Sequence, residues 1–175
     1  MSKSQWLLFA YVATFGVINI LWILHHHLFE HIVSAKFVDD LWTRFLNGHF
    51  CVFVALIPFS FSLVTTYAIE PATKRSHGRF DINPDPDAAK TACAFAGLIL
   101  MFASLCLLGI LIHHSLATET RVDTMVVLRF CIVPFVSLLT VVFNVSGASD
   151  VLLWPVVGIP LIFFSLRLLR WKLAT

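Results

Sequence analysis

The chain alternates between long apolar runs and short polar connections. A helix that spans a bilayer needs about 20 mostly apolar residues. Stretches of that kind occur at residues 6–24, 50–69, 92–112, 126–145 and 152–169. The strands of a membrane barrel would alternate polar and apolar residues over about 10 positions, whereas these runs are apolar on every side. The pattern predicts an all-α, polytopic membrane helix bundle with about five transmembrane helices.

The connections predict a single transmembrane domain over residues 1–175, in which only the polar loop 70–90 is long. The first apolar stretch is too long for a signal peptide and no A-x-A-like site follows it before His25, so we expect a retained anchor. The basic residues Arg167, Arg170 and Lys172 favour a cytosolic C-terminus.

Composition agrees with a membrane protein. The chain is 59% hydrophobic and 13% charged, whereas soluble domains are about 45–50% apolar and about 25% charged. The net charge of +2 is too small to indicate a nucleic-acid partner. No serine–histidine–carboxylate or paired-carboxylate pattern is visible in the sequence. We therefore predict a protein that is not an enzyme, with no catalytic residues and no bound cofactor.

The four cysteines lie inside apolar stretches and show no C-x-x-C spacing. We expect them to pack as small apolar side chains and to form neither a disulfide framework nor a metal site. They are Cys51, Cys93, Cys106 and Cys131.

A polar and aromatic stripe interrupts the first apolar stretch. Asn19, Trp22, His26 and Phe29 are spaced by three and four residues, which places them on one helical face, and His25 lies beside that face. Polar groups are costly in lipid, so this stripe should face protein. It can be a hydrogen-bonded packing surface between helices or a functional site.

Histidines form a second polar feature. With five spans, the ends of the first and third helices and the start of the second lie on one side of the membrane. Three interpretations remain open: ordinary interfacial histidines, a proton-sensing cluster, or a haem held by two of them. The residues concerned are His25, His26, His27, His49, His113 and His114.

Two strings resemble a known family. The residues from Trp22 to Phe29 fit a W-x-x-H-H-x-L-F pattern, and Leu46-Asn47 is followed, eleven residues after the asparagine, by Pro58 in VALIPFSFSL. These strings resemble the second and third helices of the transmembrane protein 175 family. The later apolar stretches are similar to its fourth to sixth helices in length and spacing alone.

The resemblance implies a potassium-selective, proton-permeable leak channel. Animal members sit in endosomes and lysosomes with two six-helix repeats per chain, and prokaryotic members carry one repeat and form tetramers. The family has no TVGYG filter, and its pore is lined by the first helix of each repeat, which carries an R-x-x-x-F-S-D motif.

This sequence departs from the family pattern at that motif, because it contains no F-S-D. The family's first helix would lie before Met1, and five spans then correspond to helices two to six. In the family, side chains of the first-helix motif hydrogen-bond to polar residues on the next two helices. Carried over by resemblance, the receiving residues are Trp22, His25 or His26, and Asn47.

Three functional hypotheses follow. The first is a potassium, and also proton, leak channel or truncated channel subunit, in an endosomal or lysosomal membrane if animal and in the plasma membrane if prokaryotic. The alternative is a non-conducting structural or assembly subunit on the same scaffold. The remote alternative is a bis-histidine haem protein. The expected partners are potassium ions, the lipid bilayer, and either further copies of the chain or a chain that supplies the pore helix.

Overall fold

The described part of the chain is almost entirely helical and contains no strand. The structure, a computed structural model, describes residues 3–31, 33, 38–69, 86–118 and 124–146. Most of these residues form four α-helices, α1 (Lys3–His31), α2 (Leu41–Val64), α3 (Pro86–Thr118) and α4 (Thr124–Val145). A π-helical turn, Thr65–Ile69, directly follows α2. The prediction of an all-α fold is confirmed for the residues in these ranges.

Among the residues that the structure describes, three helical segments are long and apolar enough to cross a membrane, namely Leu41–Tyr67, Asp87–Thr118 and Val126–Val145. They correspond to the predicted spans 50–69, 92–112 and 126–145. The predicted span 6–24 lies within α1, which is not among these three segments, and 152–169 lies outside the described residues. The structure therefore accounts for three of the about five predicted spans and is compatible with an integral membrane protein.

Two helices begin earlier than the apolar pattern predicts. The carboxylate of Asp40 accepts hydrogen bonds from the amides of Trp42 (3.0 Å) and Thr43 (3.2 Å), so α2 begins at Leu41 instead of near residue 50. Such a cap satisfies amide groups that have no partner inside the helix. Pro86 opens α3, as proline often opens a helix. Residues 86–90 therefore belong to α3 instead of the predicted loop, of which residues 70–85 lie outside the described ranges.

Helix α3 lies at the centre of the bundle and packs against both α2 and α4. Its core side chains Leu100, Leu107 and Ile110 are almost completely buried. Gly97 allows α4 to come close, because a Cβ atom there would lie 3.0 Å from Val141 Cγ2 and 3.3 Å from the carbonyl oxygen of Ser137. Small residues at such contacts are typical of helices that pack inside membranes.

Helix α1 packs against α2 and α3, and its buried side chains, among those described, lie on one side of the helix. We call this side the inner face of α1; its residues are all buried. They are Thr14, Val17, Leu21, Leu24 and Leu28. Their spacing of three and four residues keeps them on one side of the helix.

The cysteines differ in their surroundings. Cys93 and Cys106 are buried in the bundle, as expected of small apolar side chains, whereas Cys131 is partly buried and Cys51 is exposed on α2. All four are free thiols.

Candidate functional site: a polar link between two helices

A hydrogen bond between side chains joins α1 to α2. His25 Nε2 lies 2.8 Å from Asn47 Oδ1, and the pair is partly buried. With the amide oxygen as acceptor, the bond requires His25 to carry a proton on Nε2. The link joins residues from the two strings that carry the family resemblance.

Aromatic rings surround the imidazole of His25. It stacks on Phe50 of α2, with centroids 5.0 Å apart and planes inclined by 7°, and on Trp22, with centroids 5.5 Å apart and an inclination of 20°. Phe29 contacts it at a centroid distance of 4.7 Å in a tilted arrangement. These distances are typical of favourable ring pairs. The contacts hold the imidazole in the orientation that the hydrogen bond to Asn47 requires.

His26 lies apart from this site. Its Nε2 is 2.9 Å from Glu30 Oε2, one turn further along α1, and 67% of its side chain is exposed. Adjacent residues of an α-helix point in directions about 100° apart, so His25 and His26 cannot share one face. Of the four residues predicted as a receiving set, the structure brings Trp22, His25 and Asn47 together and places His26 elsewhere.

A second link, which was not predicted from the sequence, joins α2 to α3. His113 Nε2 lies 3.0 Å from Asp40 Oδ2, on the carboxylate that also caps α2. An acidic residue directly before an apolar run is a known sign of a helix start, so the cap, although not its bond to His113, could have been found.

The electrostatics of this second link favour the charged form of Asp40. Partial burial raises the pKa of Asp40. The hydrogen bond from the Thr43 amide, the hydrogen bond and charge of His113, and the hydrogen bond from the Trp42 amide lower the pKa, and together they outweigh the effect of burial. The net effect is a pKa below the ordinary aspartate value.

The histidines of α1 and α3 therefore meet the N-terminal part of α2, where His49 contacts the carbonyl oxygen of Phe45 through Nδ1 at 2.8 Å. Within the described ranges, no group of three or more His, Cys, Asp or Glu residues is placed to hold a metal ion. A haem ligated by His25 and His113 would require both side chains to leave Asn47 and Asp40.

Comparison with known proteins adds no relative: no family model, curated protein or solved structure matches the chain. The membrane-length apolar helices define the class of protein, a helical bundle compatible with an integral membrane protein. The resemblance to the transmembrane protein 175 family stays a prediction.

Proposed function

We propose that this chain is an integral membrane subunit of a potassium leak channel that resembles the transmembrane protein 175 family. In this proposal it supplies helices two to six of a channel repeat and works together with a helix that carries the F-S-D motif. The observation that supports the proposal is the hydrogen bond from His25 to Asn47.

This hydrogen bond supports the proposal because of where it lies. It joins the family-like strings of α1 and α2, and the Trp22 ring stacks on the His25 ring. A hydrogen bond between side chains fixes the relative position of two apolar helices. An asparagine amide also has two N–H donors besides its oxygen, so Asn47 can accept the hydrogen bond from His25 through Oδ1 and donate one to a further helix. The junction of α1 and α2 is thus a suitable place for the pore helix.

The membrane arrangement forms part of the same proposal. We place α1 across the bilayer through residues 6–24 and add residues 152–169 as a further span, which gives five. The membrane would be endosomal or lysosomal in an animal cell and the plasma membrane in a prokaryote, with potassium ions, and also protons, as the permeating species.

The proposal is tested by potassium flux into liposomes that contain the purified chain, with and without a synthetic helix bearing R-x-x-x-F-S-D. We expect flux when the helix is present and little flux with Asn47→Leu. The matched control is His49→Ala on the same helix, since His49 is exposed and contacts its own backbone. Absence of flux both with and without the helix would remove the channel function.

The absence of an F-S-D motif from the sequence favours one second candidate, a non-conducting assembly subunit on the same scaffold. Co-expression with a six-helix channel of the family distinguishes the two. A stable complex combined with no flux from this chain plus the helix peptide would favour the assembly role. Failure to recover a complex, with currents unchanged, would remove it.

A further inference from the structure

The side of α1 that points away from the bundle carries a regular pattern. Its residues are spaced by four, three, four, three and four positions, and all of them are exposed. We call this side the outer face of α1. It consists of Leu8, Val12, Phe15, Asn19, Trp22 and His26. The buried inner face lies on the opposite side of the same helix.

This spacing is the repeat of a helix-to-helix contact. An average of 3.5 residues per turn keeps a stripe facing a partner helix along its whole length, with alternate residues in the two core positions of a heptad. In that scheme Val12, Asn19 and His26 share one core position. A face that meets only lipid needs only apolar side chains, and lipid does not account for Asn19.

The position of Asn19 makes its exposure significant. At 1.5 Å per residue the outer face is about 27 Å long from Leu8 to His26, close to the hydrocarbon thickness of about 30 Å. Asn19 then lies about 16 Å from Leu8, near the middle of the bilayer. An amide group at that depth is favourable only with a hydrogen-bonding partner.

We propose that the outer face of α1 binds the outer face of α1 in a second copy of this chain, with the two Asn19 amides hydrogen-bonded to each other across the interface. The proposal rests on the part of the proposed function that places α1 across the bilayer, and it does not depend on ion conduction.

Symmetry favours a second copy as the occupant. Copies of one membrane protein share one orientation, so two α1 helices related by an axis along the membrane normal are parallel. In a parallel pair identical core positions face each other. An amide has both donors and an acceptor, so Asn19 complements itself. His26 Nε2 lies 2.9 Å from Glu30 Oε2, so the His26 side chain of each copy keeps a partner on its own helix.

The predicted span 152–169 of the same chain is a less suitable occupant. It contains no Asn, Gln, His, Asp or Glu, and Ser165 and Arg167 near its end are its main polar residues. A helix of that composition offers little that could pair with an amide at mid-membrane depth. The composition of α1 itself provides a better match.

Energy transfer between donor- and acceptor-labelled full-length chains in liposomes tests self-association. We expect transfer in the wild type and about tenfold weaker association for Asn19→Leu, the loss of one interhelical hydrogen bond. The control is Phe135→Leu, which replaces an exposed apolar residue on α4 and should leave transfer unchanged. A wild type that remains monomeric at all protein-to-lipid ratios would overturn the proposal.

Disulfide formation provides a second readout that does not depend on the folding of the Asn19 variant. Phe15→Cys on the outer face should form intermolecular disulfides above the level of the native cysteines, whereas Val17→Cys on the inner face should not. Equal cross-linking at the two positions would contradict the proposal. Loss of potassium flux with energy transfer retained would count against the channel function alone.

Discussion

The two faces of α1 have similar apolar composition and opposite surroundings. On the inner face, Leu21, Leu24 and Leu28 are at most 3% exposed. On the opposite side, Phe15 and Trp22 are more than half exposed. Hydrophobicity alone therefore does not distinguish a packed face from an open one. Two polar residues of α1 differ in the same way, because His25 hydrogen-bonds to Asn47 of α2, whereas Asn19 is exposed at the centre of the outer face.

The largest effect should come from a cavity on the inner face. Leu21 is fully buried, and Leu21→Ala should destabilise the bundle by about 2–5 kcal/mol, because the removed atoms leave an unfilled space. Ile23→Ala, only two residues away, should change stability little, since Ile23 is 61% exposed. Thermal unfolding in detergent measures both. Equal losses would mean that α1 does not pack with the inner face inward.

A comparison of two glycines extends this contrast to the α3–α4 contact. Gly97→Val should cost about 1–3 kcal/mol through overpacking, because Val141 and the Ser137 carbonyl already crowd the position. Gly16 in α1 has open space around its Cβ direction, so Gly16→Ala should stabilise by up to about 1 kcal/mol. The same unfolding assay applies, and a stabilising Gly97→Val would refute the close approach of α4.

A smaller loss of stability is expected when the hydrogen bond between His25 and Asn47 is broken while an aromatic ring stays at position 25. His25→Phe keeps an aromatic side chain beside Trp22 and Phe50 but leaves Asn47 without its donor. The expected cost is about 0.6–1.7 kcal/mol, the range for hydrogen bonds between membrane helices. His26→Phe is the matched control and should cost less stability, because His26 is exposed and contacts only Glu30 of its own helix among the pairs described above. A larger loss for the control than for His25→Phe would reverse the assignment of the two histidines.

The smallest effect is expected where α1 is not involved, at the Asp40 link between α2 and α3. Because the folded pKa of Asp40 is below the ordinary value, its carboxylate stabilises the fold above the unfolded pKa of about 3.9 and loses this effect as the pH falls through the folded value. Asn also caps helices well, so Asp40→Asn keeps a cap and removes the titration. Between pH 5 and pH 3, the melting temperature should fall less in the variant. Equal falls in melting temperature for the wild type and Asp40→Asn would contradict the lowered pKa of Asp40.

The length of the apolar runs was enough to predict the helices themselves. It predicted few of the contacts between helices, because these depend on how the helices pack. Residues 126–145 agree with α4 to within two residues at its start. The start of α2 was missed because Asn47 and His49 lower the hydropathy of its first turns, although Asp40 caps them. The resemblance named His25 and Asn47 together, but their mutual hydrogen bond depends on how α1 packs on α2.

The bond between Asp40 and His113 could not be predicted for the same reason. The two residues are 73 positions apart, and only the packing of α2 on α3 brings them together. Helical spacing alone grouped His26 with Trp22, whereas the contacts of the folded bundle group His25 with it.

The most direct test of the two-faced helix is a spin-label scan of residues 8–28 in bilayers, at a lipid-to-protein ratio high enough to keep the copies of the chain apart. The readout is the rate of collision with oxygen, which dissolves in the hydrocarbon. The lowest collision rates are predicted at the inner face, at residues 14, 17, 21, 24 and 28, and the highest rates on the outer face. Equal rates all round the helix, or minima confined to the outer face, would contradict the packing of α1 on α2 and α3 and with it the link from His25 to Asn47.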